Sequence, residues 1–577
     1  MATRPMAQLL SYYDEPMSPI TKAKNVLTDD GQNLQDILSD RKEDMMTPII
    51  ENSSSMFKVG QGDNVDYSEN VVDGAYESCV LKGRSLVNIL NNPIQTLSGG
   101  NSGWKRLNPR WTLKANTKYF ALYFVNSNTL DGTIKDVFKY GDDQTTWGID
   151  VVPIGGVGVF KRTFTLSSEV TEYNCYTDTS TTGSANVKCV LLEYQEGMEN
   201  WDFPYFEGLC DVKSPILTNV GKNLFDKSKV KREKYQNYNI SNGAFSITDH
   251  SNYKVTDYIR VKPNTPYVSI NLGDGAYYTI NKKPIKTTIC KAGNFTTPNE
   301  AYYVVLNMPI TQDEDVVRFE EAPLSTTYEP HKSNTVTFST DDDKTIVLRS
   351  LPNGVCDTLN VETGKYVQRI GEVVFDGSND EVMWFNTGWT NGECVACYWN
   401  VNAMGLPNKK VGTQNMVCDS FSTAMSSIVN TGGIVTREGI WGEVSSSVMY
   451  ISIKKTKLTE LNVTGFRQWA SQNPITVQYE LETPIVTTID IQGFPYAYTN
   501  GHVQLSSGSI EQSLTPTVEY SVITNRNGQI RSNQKMVERQ QKELDHLQAM
   551  VLANMVETQY RQALMKLKSD LKSEVRV

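Results

Sequence analysis

The side chains of this sequence best suited to recognition chemistry are its aromatic rings. A flat ring packs on the apolar face of a pyranose while amides and carboxylates take the hydroxyls. Five of the nine tryptophans fall in one stretch: Trp384, Trp389, Trp399, Trp441 and Trp469. Trp384 and Trp389 bracket Phe385-Asn386-Thr387-Gly388, where Asn and Gly predict a turn able to hold an indole out to solvent. Trp389 is the leading carbohydrate-binding candidate, followed by Trp384, Trp399 and Trp441, with core packing as the competing use of each. Trp104 and Trp147 rank lower, and Trp111, just before a strand, reads as core.

The residues that catalysis would need form no pattern. Glycosidic hydrolysis takes two carboxylates about 5–10 Å apart, and no motif singles out a pair among the 65 acidic residues. No G-x-S-x-G, H-E-x-x-H or phosphate-cradling glycine loop occurs. A glycan-degrading enzyme is the runner-up reading. His250, His331, His502 and His546 are too scattered for a His-based metal site, and no cofactor is expected. Of nine cysteines only Cys394 and Cys397 are close; three residues apart on a strand, they face opposite ways and read as reduced thiols. Asp341-Asp342-Asp343 reads as a solvated loop, with a calcium role as its alternative.

A formal charge of −10 and the lack of a basic stripe argue against nucleic acid as the partner. No apolar run of about 18 residues predicts a membrane helix. Met1–Leu10 hold no apolar signal core, so synthesis in a cytoplasm is expected.

Positioning these residues falls to several domains, because 577 residues exceed one core. Polar Asn/Thr/Ser/Gly tracts between short apolar runs predict a mainly β chain of tandem β-sandwich modules. An internal repeat supports this. Leu113-Lys114-Ala115-Asn116-Thr117-Lys118-Tyr119 matches Val261-Lys262-Pro263-Asn264-Thr265-Pro266-Tyr267, 148 residues on. Upstream, Gly83-Arg84-Ser85-Leu86-Val87-Asn88 echoes Gly221-Lys222-Asn223-Leu224-Phe225-Asp226, 138 residues on, which implies a ten-residue insertion. In Val477-Gln478-Tyr479-Glu480-Leu481-Glu482, Val477, Tyr479 and Leu481 share one face and the polar residues the other.

The expected boundaries are 1–55, 56–215, 216–336, a hairpin connector 337–375, 376–523 and 524–577. In the first segment Leu34, Ile37 and Leu38 predict a short amphipathic attachment helix, with a flexible leader as the alternative. In the last, Ile530, Val537, Leu544, Leu547, Val551, Tyr560, Leu564, Leu567 and Leu571 recur by sevens, threes and fours. They predict a long C-terminal α-helix with a narrow apolar seam for oligomerisation, or an antiparallel hairpin turning near Asn554.

Leu348-Arg349-Ser350-Leu351-Pro352-Asn353-Gly354-Val355, Gly364 to Gly371, Tyr479 to Pro484, Gly221 to Asp226 and Thr327-Tyr328-Glu329-Pro330 resemble the minor structural proteins of phages infecting Gram-positive bacteria. Val26 to Leu38 looks like the baseplate-proximal start of tail fibres. The resemblance implies a non-enzymatic place in the phage tail virion, as fibre or baseplate component, and jelly-roll modules like those that bind carbohydrate. It also implies other virion proteins and host cell-surface polysaccharide as partners, and a homotrimer. A purely architectural connector is the alternative.

Overall fold

Apolar residues in this chain sit on strands that alternate, and where both faces are apolar the strand lies between two cores. Lys118–Asn128 shows how: Phe120, Leu122 and Phe124 face one core, while Tyr119, Ala121, Tyr123 and Val125 face another. The computed structural model describes residues 57–62, 73–76, 78–99, 105–140, 144–145, 148–178, 180–196, 198, 203–239, 244–279, 282, 284–299, 301–340, 344–378, 384–385, 392–400, 407–411, 415–423, 429–430, 434–435, 437–442, 448–507, 513–523 and 526–574. The expected attachment residues Leu34, Ile37 and Leu38, Trp104, Trp147 and the Asp341–Asp343 triplet lie outside them.

The chain is mainly β, with many sheets. A central scaffold is assembled from segments far apart in sequence. Its 7-stranded antiparallel sheet runs, in order, Phe57–Gly62, Thr517–Ile523, Ser78–Lys82, Thr358–Asn360, Lys365–Phe375, Ile475–Thr488 and Met416–Cys418. A 4-stranded sheet orders Asp490–Gln492, Ser333–Ser339, Pro215–Val220 and His502–Ser507. Their shared core takes Leu81, Leu217, Val336, Leu359, Leu505 and Val518, all fully buried.

Three excursions leave this scaffold and return beside their point of departure. The first leaves at Asn88, whose N–H donates to Gly208 O at 2.8 Å. It carries two four-strand sheet paths, centred on Lys118–Asn128 with Ser184–Glu193 and on Ile134–Tyr140 with Glu172–Tyr176, which share one core. The second leaves at Gly221, whose N–H donates to Lys332 O at 2.8 Å, and has a core of its own between Val220 and Phe319. The third leaves after Phe375, paired in register with Ile475, and includes Cys394–Asn400, Val448–Lys454 and the helix Val463–Gln472 capped by Asn462.

This nesting departs from the serial order read in the sequence. The expected boundaries at 215/216 and 336/337 fall inside Pro215–Val220 and Ser333–Ser339, which pair with each other. The expected hairpin does form, Thr358–Asn360 with Lys365–Phe375, but both strands belong to the 7-stranded sheet rather than to a connector. Beyond the last strand runs the helix Arg526–Glu574. Val537, Leu544, Leu547, Val551, Tyr560 and Leu564 on it are exposed, by 38% at Leu564 to 67% at Tyr560. The side chains of Ile530, Leu567 and Leu571 lie outside the described residues.

Candidate functional site

Two asparagines fix how each of the first two excursions joins the scaffold. Asn88 Nδ2 donates to Cys189 O and Phe206 O, and its Oδ1 accepts from Leu90 N and Leu191 N, all at 3.1–3.2 Å. Asn223 repeats the scheme: Nδ2 donates to Val317 O and Glu329 O, and Oδ1 accepts from Phe225 N and Phe319 N, at 3.0–3.1 Å. Both side chains are buried, and each satisfies its full donor and acceptor capacity.

The downstream repeat is equally matched. Asn116 and Asn264 both take the left-handed conformation, φ 55° and 52°. Tyr119 Oη and Tyr267 Oη accept from Lys114 N and Lys262 N at 2.8 and 2.9 Å. The repeat is therefore real, but its opening echo is displaced. Asn88 pairs with Asn223, 135 residues on, so the glycines 138 residues apart were the wrong anchor.

Where the first excursion meets the scaffold and the third, a cleft encloses about 420 Å³. Half-buried Trp111 and Tyr194 supply its aromatic walls. Trp111 is placed by the bridge Leu113↔Val170 just beyond it and packs on the first excursion's core. Tyr194 follows the strand Ser184–Glu193; its N–H donates to Lys118 O at 3.0 Å, and Lys118 Nζ lies 3.4 Å from its ring centroid. Polar lining comes from Ser85, Glu193, Gln195, Asn415, Ser422 and Thr423. Glu193 is the carboxylate of that lining, and Lys114 Nζ stands 3.5 Å from it.

The walls are held by polar contacts behind them. Pro352 on the rim belongs to a tight loop in which Leu351 N donates to Val355 O and Gly354 takes φ 86°. Ser85 and Ser350 exchange backbone N–H to Oγ bonds at 2.9 and 3.0 Å. Deeper, Arg349 Nε stands 3.3 Å from Glu372 and 3.9 Å from Asp211, and Gln478 Nε2 donates to both acids. Asp357 accepts three backbone N–H bonds, from Arg349, Arg369 and Ile370. Burial nevertheless pushes its carboxyl up to about 6, because those donors and Arg349 only partly offset the loss of water. On the far side of the joint Arg110, its Nε donating to Asn88 O at 3.3 Å, is held below its ordinary value by burial.

The structure redistributes the aromatic candidates. Trp399 is 1% exposed, its ring centroid 3.9 Å from Phe375 and 5.3 Å from Phe466. It packs the third excursion's core and has no free face for a sugar. Trp389 lies outside the described residues, and so do the side chains of Trp384 and Trp441, whose backbones lie on Trp384–Phe385 and Gly439–Gly442. Trp111 packs on the first excursion's core, as its place before a strand suggests, and its indole also borders the cleft. Cys394 and Cys397 are buried free thiols on one strand. Among the described residues no helix is long and apolar enough to cross a membrane.

Aromatic walls with amides, hydroxyls and one carboxylate around them suit a ligand with apolar faces and many hydroxyls. No family model matches this chain, and no curated protein matches it.

Proposed function

We propose that this chain is a structural protein of a phage tail, a fibre or baseplate appendage, that holds a neutral saccharide of the host surface in the Trp111–Tyr194 cleft. One observation carries the saccharide site: two aromatic side chains, amides, hydroxyls and the Lys114-paired carboxylate of Glu193 meet at a joint between two cores. Such a joint suits binding, because ligand contacts come from elements fixed by separate cores. Binding without turnover is the reading, since hydrolysis would need a second carboxylate opposite Glu193. The excursions are taken as jelly-roll-like sandwiches, and residues 1–55 as the attachment segment toward other virion proteins. The exposed seam of Arg526–Glu574 is taken as a three-stranded coiled coil of a homotrimer, because a single helix with that stripe leaves its apolar row in water.

The test is adsorption of the purified full chain to host cell walls and to extracted wall polysaccharide, with its mass taken by light scattering. Saturable adsorption by a trimer, weakened by Trp111→Ala, is the expected result. A well-folded chain that adsorbs to neither leaves the architectural connector instead.

A further inference from the structure

The first excursion stacks two sheets whose strand orders match. One runs Gly158–Thr165, Lys118–Asn128, Ser184–Glu193 and Ile94–Ser98; the other runs Ile149–Val152, Ile134–Tyr140, Glu172–Tyr176 and Lys105–Arg106. Two contacts fix how they lie over one another. Tyr123 Oη donates to Asp136 Oδ2 at 2.6 Å, from the second strand of one order to the second of the other. Gln95 Nε2 donates to Arg106 O at 3.4 Å, between the two fourth strands. Ser184–Glu193 and Glu172–Tyr176, third in each order, therefore face each other across the shared core.

Register then sets one thiol against another. Cys189 is the cross-strand partner of Tyr123, and Cys175 is that of Asp136, so each cysteine points to the same side as its partner. Because Tyr123 and Asp136 meet across the core, Cys189 and Cys175 meet beside them. Both are buried free thiols of that core. They share a hydrogen bond, which together with burial pushes the Cys189 thiol well above its ordinary value. Cys394 and Cys397 supply the contrast. They are closer in sequence, but three residues apart on one strand they point to opposite faces and cannot bridge.

We infer that Cys175 and Cys189 close into one disulfide that staples the two sheets when the chain folds in the presence of a small-molecule disulfide. The chemistry is thiol–disulfide exchange. One cysteine thiolate attacks glutathione disulfide, and one glutathione leaves as a thiol. The second cysteine then attacks the mixed disulfide and releases the other glutathione. Two cysteine thiols are oxidised, one disulfide is reduced, and both protons end on glutathione. In the folded, reduced chain burial keeps the pair protonated and inert, so the link closes during folding. Nothing in the saccharide reading depends on it.

The test is cell-free synthesis of the full chain with a disulfide isomerase, once in reduced glutathione and once with glutathione disulfide added. Free thiols are then alkylated and peptides mapped without reduction. Most of the oxidised chain is expected to yield a linked Cys175–Cys189 peptide, with Cys394 and Cys397 alkylated in both buffers. Amide exchange in Glu172–Tyr176 and Ser184–Glu193 should slow by about tenfold or more on oxidation, because the link opposes separation of the sheets. In Cys175→Ala, Cys189 should be alkylated and exchange should be the same in both buffers. Alkylation of Cys175 and Cys189 in the folded oxidised chain, another cysteine as the partner of either, or equal wild-type exchange in the two buffers overturns the inference.

Discussion

At the residue scale, side chains with many bonds matter more than those with conspicuous chemistry. Asn88 and Asn223 each close four hydrogen bonds in a buried setting, and an alanine leaves four backbone groups without partners. Asn223→Ala should lower stability by on the order of 3 kcal/mol in denaturant titration. Asp357 makes a pH prediction. Its folded value near 6 exceeds the ordinary 3.8, so the folded chain holds the extra proton between those values, and stability from this group is lost as pH rises through about 6. Asn at 357 keeps one acceptor and cannot titrate. The melting temperature of the wild type minus that of Asp357→Asn should therefore fall from pH 4.5 to pH 7.5; a constant difference contradicts the assignment. The same scale shows what was legible early. The Lys-x-Asn-Thr-x-Tyr repeat is visible because left-handed Asn and the Tyr hydroxyl are both written locally. Trp111 packs on a core, as its place before a strand suggests; that it also borders a cleft depends on Tyr194 and Asn415, 83 and 304 residues away.

At the element scale, alternation decides which sheet a strand serves. The reading of Val477, Tyr479 and Leu481 as one buried face agrees with their place in the third excursion's core. Gln478 falls on the polar face of that alternation, which sequence equates with solvent, yet it is fully buried against Asp211 and Glu372. A second core behind the strand supplies the partners, and only tertiary structure reveals it. Lys118–Asn128 and Ser184–Glu193, apolar on both faces, carry the hint. The turn that feeds the repeat's Tyr strand can be tested directly. Asn264→Ala should cost about 1 kcal/mol because its φ of 52° disfavours a Cβ, while Asn264→Gly should cost less. Equal losses would mean that the Asn side chain, through its bond to Asn299, does the holding.

At the scale of the whole molecule, the mainly β composition was legible and the nesting was not. Strand patterns report that a segment pairs, and they carry no record that Phe57–Gly62 pairs with Thr517–Ile523. Because the second excursion leaves and returns across one hydrogen bond between Gly221 and Lys332, replacing 222–331 with a short Gly-Ser linker should leave the rest folded. Residues 57–215 alone should not fold as they do in the full chain, since Phe57–Gly62 and Ser78–Lys82 pair with Thr517–Ile523, and Leu209–Lys213 pairs with Val347–Leu348. Circular dichroism and limited proteolysis of the two chains decide this. For the proposed trimer, Leu544→Asp with Leu547→Asp puts charge into the seam and should shift the mass from trimer to monomer; a monomeric wild type contradicts the coiled coil.

The measurement closest to the central proposal is the dissociation constant of the full chain for neutral oligosaccharides from the host wall, compared with that of Trp111→Ala. Saturable binding by the wild type is expected, with a loss of about tenfold or more in the variant at unchanged melting temperature. Equal affinities, or no binding by either folded chain, would contradict a saccharide site at Trp111 and Tyr194.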